Sequence, residues 1–240
     1  LKAIFDKDVA DGGDSYYMDR ILARYEVANG NANDGGNADG NAFLTRGRAL
    51  YMYTSNPSII GFGGNTAYHQ PLGKDMYAIS FRQGSINLNT SEITFYRVNY
   101  PSHWTSVYNI GTGLGLRANI AKFITCQNVA VTLLTIENSG TKARQITMDV
   151  TSNFVNTKST VEVNGQNQNE LIGTVQSPSN LTTITTRLTG DGLEFGSANN
   201  LLTRTLIIPA GGSVEVKVVM TFSTFEIPES YTDYARFAGY

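Results

Sequence analysis

The chain has 240 residues, with 18 Lys+Arg against 20 Asp+Glu, one cysteine and two histidines. Charged residues make up 16%, well under the roughly 25% of an average soluble domain, while 41% are hydrophobic, which is a globular rather than a disordered composition. A net charge of −2 argues against an electrostatic nucleic-acid binder, one cysteine excludes an internal disulfide framework or a multi-cysteine metal site, and no apolar run reaches the ~18 residues of a membrane-spanning helix.

Gly, Asn, Thr and Ser occupy the space that charge leaves, which points to a turn-rich surface and an extracellular, secreted setting. The chain starts Leu1-Lys2-Ala3-Ile4, so either a leader has been removed or the chain is a fragment. Ser15 to Ala28 places Met18, Ile21, Leu22 and Tyr25 at helical spacing. Tyr16-Tyr17 and Tyr25-Glu26-Val27 favour a strand, and the all-β remainder tips the expectation that way. Residues 29–41 are all Asn, Asp, Gly or Ala and form a long loop. Asp34, Asn37 and Asp39 make it a weak candidate calcium site, since calcium takes hard oxygen ligands from a wrapping backbone. Against that, an EF-hand register with Gly40 sixth puts Arg46 where the bidentate Glu belongs, so a solvated loop is the alternative. The Asp8, Asp11, Asp14 cluster stands the same way. No other cofactor is expected.

From about residue 76 onward the period is two. Tyr100-Pro101-Ser102-His103-Trp104-Thr105-Ser106 then holds the only Trp and one of the two His. Trp104, His103, Tyr100 and Tyr108 are candidate glycan-binding residues, because sugar C–H faces stack on rings while hydroxyls seek directional partners. The alternative is that Trp104 plugs the core and His103 is structural. Gly111-Thr112-Gly113-Leu114-Gly115 superficially resembles a dinucleotide loop, but without a βαβ unit it reads as a connection between strands. Cys126 reads as a small buried hydrophobe.

Val129 to Ile136 is apolar or Thr on both faces and predicts a central strand covered on both sides. Ile146, Met148 and Val150 alternate with Gln145, Thr147 and Asp149, a strand with one wet face. Asn164-Gly165 and Gly190-Asp191-Gly192 are turn signals. Leu201 to Ile208 and Val214 to Phe222, joined by Pro209-Ala210-Gly211-Gly212, predict a hairpin. Ser230 with Asp233 is a capping pattern, and Tyr234, Phe237 and Tyr240 follow at helical spacing. A short terminal helix there either packs back on its domain or leads into another one.

Strands recurring at this spacing predict an all-β chain, an antiparallel β-sandwich with long loops and a short C-terminal helix. One domain spans 1–240: an irregular segment 1–75 that adds strands, a core sandwich 76–228, and a terminal helix or linker 229–240. No nucleophile elbow is present. Glu92, Glu137, Asp149, Glu162, Glu194 and Glu226 are isolated carboxylates that no spacing pairs for glycoside hydrolysis. The chain by itself is therefore read as non-catalytic. Asn89-Thr90-Ser91 and Asn180-Leu181-Thr182 are sequons.

The stretches 43–52 (Phe43 to Met52), 56–64 (Asn56 to Gly64), 101–106 (Pro101 to Ser106) and 123–132 (Phe123 to Thr132) resemble the N-terminal portion of large secreted bacterial proteins. In those, a supersandwich-type β-sandwich precedes a six-hairpin, (α/α)6-barrel glycosidase-like domain. The resemblance implies an accessory sandwich that packs on the barrel and contributes a wall of the sugar cleft. It carries over no catalytic residue, because the family's acid and base belong to the barrel. Two other readings stay open. One is a self-associating cell-surface or matrix structural protein of filament type, whose partners are identical subunits meeting at sheet edges. The other is a standalone glycan-binding module.

Overall fold

The computed structural model describes residues 44, 49–52, 59–68, 70–72, 75–99, 103–155, 157–163, 165–176 and 183–223. The segment 15–28, the loop 29–41 and the terminal segment 229–240 lie outside the described residues. In chain order the strands are β1 (Leu50–Met52), β2 (Ile60–Phe62), β3 (Thr66–Tyr68), β4 (Gln70–Pro71), β5 (Tyr77–Gln83) and β6 (Ile86–Leu88). Then come β7 (Thr90–Glu92), β8 (Val98–Asn99), β9 (Trp104–Ile110), β10 (Leu116–Ile124), β11 (Val129–Asn138) and β12 (Arg144–Ser152). The series closes with β13 (Thr157–Val163), β14 (Gln166–Gln176), β15 (Thr183–Gly190), β16 (Glu194–Phe195), β17 (Leu201–Ile208) and β18 (Ser213–Ser223). A single 3₁₀ turn, Thr94–Tyr96, is the one helical element among the described residues.

Two antiparallel sheets pack face to face, as the alternation predicts. The larger has nine strands in the order β13-β14-β15-β18-β11-β10-β9-β7, with β8 also beside β9. The smaller has six, β16-β17-β12-β5-β2, with β6 also beside β5. A third set, β1-β3-β4, forms its own small sheet, and its Leu50, Met52 and Tyr68 join the same core as the two larger sheets. Even-numbered residues of β12 and β17, namely Ile146, Met148, Val150, Leu202, Leu206 and Ile208, meet Leu116, Ala118, Ile120, Leu134, Ile136 and Val218 of the large sheet in one core. Each of these side chains other than Ala118 contributes roughly 1.5–3 kcal/mol by leaving water. Tyr77 crosses this core and its hydroxyl meets Thr132 Oγ1 at 2.6 Å, a fully buried bond between the sheets. Desolvation pushes the Tyr77 phenol above its ordinary pKa.

The expectation for Val129 to Ile136 holds in its first half. Val129 to Thr132 are all buried, then alternation resumes toward Asn138. The second face is covered because Phe123, Val129, Val131 and Val219 form a separate apolar cluster on the outside of the large sheet.

The expected hairpin between Leu201–Ile208 and Val214–Phe222 is not one. β17 pairs with β12 and β16, whereas β18 pairs with β11 and β15. Pro209 to Gly212 therefore arches from one sheet to the other. A Pro/Gly turn ends a strand equally well in either geometry. The choice was made by long neighbours: β18 pairs with β11 from Ser213 to Thr221 and with β15 from Val218 to Ser223, so ladders to distant strands take up its backbone groups.

Asn128 has a φ of 64°, the one left-handed residue other than glycine among those described. Asn tolerates that region. Its Oδ1 accepts from the Ala49 and Leu50 N–H groups at 2.8 and 2.9 Å, tying β1 to the turn before β11.

Candidate functional site: a polar cleft at one end of the large sheet

The sequence-predicted aromatic platform falls on β9, and its rings face inward. Trp104 is 2% exposed and Tyr108 4%, so among the described residues neither ring offers a face for a sugar to stack on. Period-two geometry explains the pairing: residues four apart on a strand share a face. Tyr108 is pushed up to about 12, chiefly by burial, with the nearby Glu92 carboxylate adding to it. His103 precedes β9, and burial lowers its imidazole to about 4, so it is neutral at pH 7. Tyr100 lies outside the described residues, and so do Asp34, Asn37 and Asp39. Among the described residues no group of three or more His, Cys, Asp or Glu gathers as a metal site.

Lys122 is the cross-strand partner of Trp104 and points into the same interior. Its Nζ donates to the Gly61 carbonyl at 2.8 Å and sits over the Trp104 and Phe62 rings, 5.3 and 5.8 Å from their centroids. Burial lowers its pKa to about 8, partly opposed by Glu92. Close by, at the sandwich edge, Arg97 donates to both carboxylate oxygens of Glu92. This pair joins the strand end at Glu92 to the 3₁₀ turn, and the bonds to Glu92 raise the Arg97 pKa further. Among the described residues the arrangement is a packed interior around the buried Lys122 ammonium, with the Arg97–Glu92 pair beside it.

The opposite end of β9 is different. A cleft of about 410 Å³ opens there, within the roughly 300–1,000 Å³ of small-molecule sites. Its floor is the outward face of three adjacent strands, where Ser91, Asn109 and Arg117 stand in register on β7, β9 and β10. Strands repeat about every 4.8 Å, so the row spans roughly 10 Å. Asn89 and Thr90 close one side, Ser139 the other, and the turn from Gly111 to Gly115 forms the end wall.

The walls are held by backbone bonds. Gly111 N–H donates to the Asn89 carbonyl at 2.8 Å. The Gly115 carbonyl accepts from both Ser139 N–H at 2.9 Å and Ser139 Oγ at 3.0 Å. Gly111, Gly113 and Gly115 have φ of 64°, 73° and 70°, a sequence of left-handed residues that side chains other than glycine would strain. A Cβ on Gly111 would also strike Leu114 at 2.5 Å.

Behind the Ser139 wall, buried Asn138 fastens two loops. Its Nδ2 donates to the carbonyls of Lys142, Ile208 and Pro209 at 2.9, 3.2 and 3.1 Å, and its Oδ1 accepts from Gly140 N–H at 2.9 Å.

The glycine turn is a connection between strands, as expected, yet it is also a cleft wall. The sequon Asn89-Thr90-Ser91 supplies a side wall through Asn89 and Thr90 and part of the floor through Ser91. Both features stand out in the sequence as isolated motifs about 20 residues apart. Only the pairing of β7 and β10 on either side of β9 brings them together.

Of the isolated carboxylates, Asp149 accepts from Arg82 Nε and Thr203 Oγ1 and Glu92 accepts from Arg97, while Glu226 lies outside the described residues. What the cleft offers chemically is hydroxyl, amide and guanidinium hydrogen bonding to a polar ligand.

The described chain is thus an antiparallel β-sandwich with a polar cleft at one end of its larger sheet. No protein-family model matches the chain. Among solved structures, it is similar to a protein described as a kojibiose phosphorylase from the human microbiome, with a TM-score of 0.41 and 9% identity. The match covers 82% of this chain and 35% of that one, so the chain spans about a third of its length.

Proposed function

We propose that the chain is a non-catalytic, extracellular β-sandwich domain of a carbohydrate-active protein, and that it contacts glycan through the cleft on β7, β9 and β10. The observation that carries this is the cleft lining. Seven of its side chains are the neutral hydroxyls and amides of Asn89, Thr90, Ser91, Asn109, Thr112 and Ser139 together with one guanidinium, on walls fixed by backbone bonds. Directional, neutral, preorganised donors and acceptors are the complement of a hydroxyl-rich ligand. The resemblance of four stretches to the sandwich preceding a helical glycosidase-like barrel supports the same reading, with the barrel supplying any catalysis. At the edge of the large sheet, β13 carries Lys158 and Glu162, charges of the kind that oppose strand-to-strand association. That favours the domain reading over a filament subunit.

The test is retention on immobilised polysaccharides, comparing the wild type with Asn109→Ala. Asn109 is exposed, so the variant keeps its melting temperature while retention falls at least severalfold. If no polysaccharide retains the wild type, or if Asn109→Ala is retained equally, the proposal is wrong.

A further inference from the structure

From the charge placed in the cleft we infer that its ligand is an acidic saccharide, one bearing carboxylate or sulfate groups, with Arg117 as the residue that selects it. This rests on the glycan-contacting reading above and narrows it.

Among the described residues lining the cleft, Arg117 alone carries a formal charge. The described ion pairs are Arg82–Asp149, Arg97–Glu92 and Arg187–Glu170, so each of those guanidiniums is committed to a carboxylate. Arg117 belongs to none of them. The nearest acidic residue in register is Glu137, its partner on β11. The strand order β9-β10-β11 puts Glu137 on the far side of Arg117 from Asn109, and Glu137 does not line the cleft. Glu92, on the neighbouring β7, pairs with Tyr108 on the opposite face of the sheet and is held by Arg97. The cleft therefore presents one exposed cation with no acidic residue in its lining.

A guanidinium is a planar fork that meets a carboxylate or sulfate with two parallel N–H···O bonds. Such charge-assisted bonds are roughly twice as strong as neutral ones. Ser91 and Asn109 extend the row on one side of Arg117 with neutral groups suited to the sugar's hydroxyls. No aromatic side chain lines the cleft among the described residues. Stacking, the usual source of affinity for neutral sugars, is thus missing, which leaves the charge pair as the strongest contact available.

The test measures binding of matched oligosaccharide pairs by calorimetry. One pair is a uronate oligomer and its carboxyl-reduced neutral counterpart; the other is a sulfated oligomer and its desulfated counterpart. The wild type is expected to bind the acidic member of at least one pair tenfold or more tighter, with affinity falling as salt rises. The pair that shows the preference identifies the acidic group. Arg117→Gln is expected to abolish the preference and Arg117→Lys to retain part of it, both at unchanged melting temperature, since Arg117 is exposed. Equal binding of acidic and neutral members, or a preference that survives Arg117→Gln, overturns the inference while leaving the glycan-contacting reading intact. Binding of neither member of either pair, with no polysaccharide retained, overturns both.

Discussion

Lys122 is a cation buried in the core between two aromatic rings. It is 6% exposed, and among the described residues its ammonium donates to the Gly61 carbonyl and no carboxylate pairs with it. The rings of Trp104 and Phe62 offset part of the desolvation through cation–π contact. The gap between an ordinary lysine near 10.5 and about 8 here, at about 1.4 kcal/mol for each tenfold, corresponds to about 3 kcal/mol that the folded state gives up at pH 7. Lys122→Met keeps the aliphatic stem, and it removes the charge and one hydrogen bond of about 1 kcal/mol. The variant should therefore be more stable than the wild type by on the order of 1–2 kcal/mol at pH 7, read from the midpoint of urea unfolding.

The pH dependence gives a sharper signature. Between pH 8 and 10.5 the unfolded chain holds the Lys122 proton and the folded chain has lost it, so wild-type stability rises with pH across that window. Tyr77 and Tyr108, whose phenols burial holds protonated, act with the opposite sign, because the unfolded phenols start to ionise near pH 10. The useful range is therefore pH 8 to 9.5, where the wild type should gain about 1 kcal/mol and Lys122→Met should not. A Lys122→Met variant that is less stable at pH 7 and keeps the wild-type slope would refute the reasoning.

Asn138→Ala should cost about 2–4 kcal/mol, since it strips partners from four loop backbone groups, and it should raise amide exchange at Gly140, which borders the cleft wall. An effect under about 1 kcal/mol, with exchange unchanged, would show that the loops hold without it. Tyr77→Phe leaves Thr132 Oγ1 buried without its partner and should cost about 1–2 kcal/mol, while the double variant with Thr132→Val should recover most of that loss. Additive losses in that cycle would mean the inter-sheet bond contributes nothing.

Alternation is a local property, so the strands β12, β17 and β18 and the turns between them are legible residue by residue. Which strand lies beside which is not local. Pro209 to Gly212 reads the same whether it closes a hairpin or arches between sheets, and the outcome rests on the partners β11, β12 and β15, far away in the chain. The aromatic cluster at 104–108 was visible as composition, but its face was set by the sheet: Trp104 and Tyr108 fall on the side that meets the small sheet. Lys122 stands at an inward position that the pattern around it reserves for Ala118, Ile120 and Ile124, and its burial follows from register alone.

The single cysteine ruled out for this chain, from sequence alone, a disulfide framework and a multi-cysteine metal centre. Period two determined its strands, because each side chain's face depends only on its neighbours along the chain. Tertiary structure decided the site. Asn89 to Ser91, Asn109, the glycine turn and Arg117 become one cleft because hydrogen bonding places β7 and β10 on the two edges of β9. That pairing is a contest among all the strands, settled by the total of buried surface and satisfied backbone groups, and no single segment carries it.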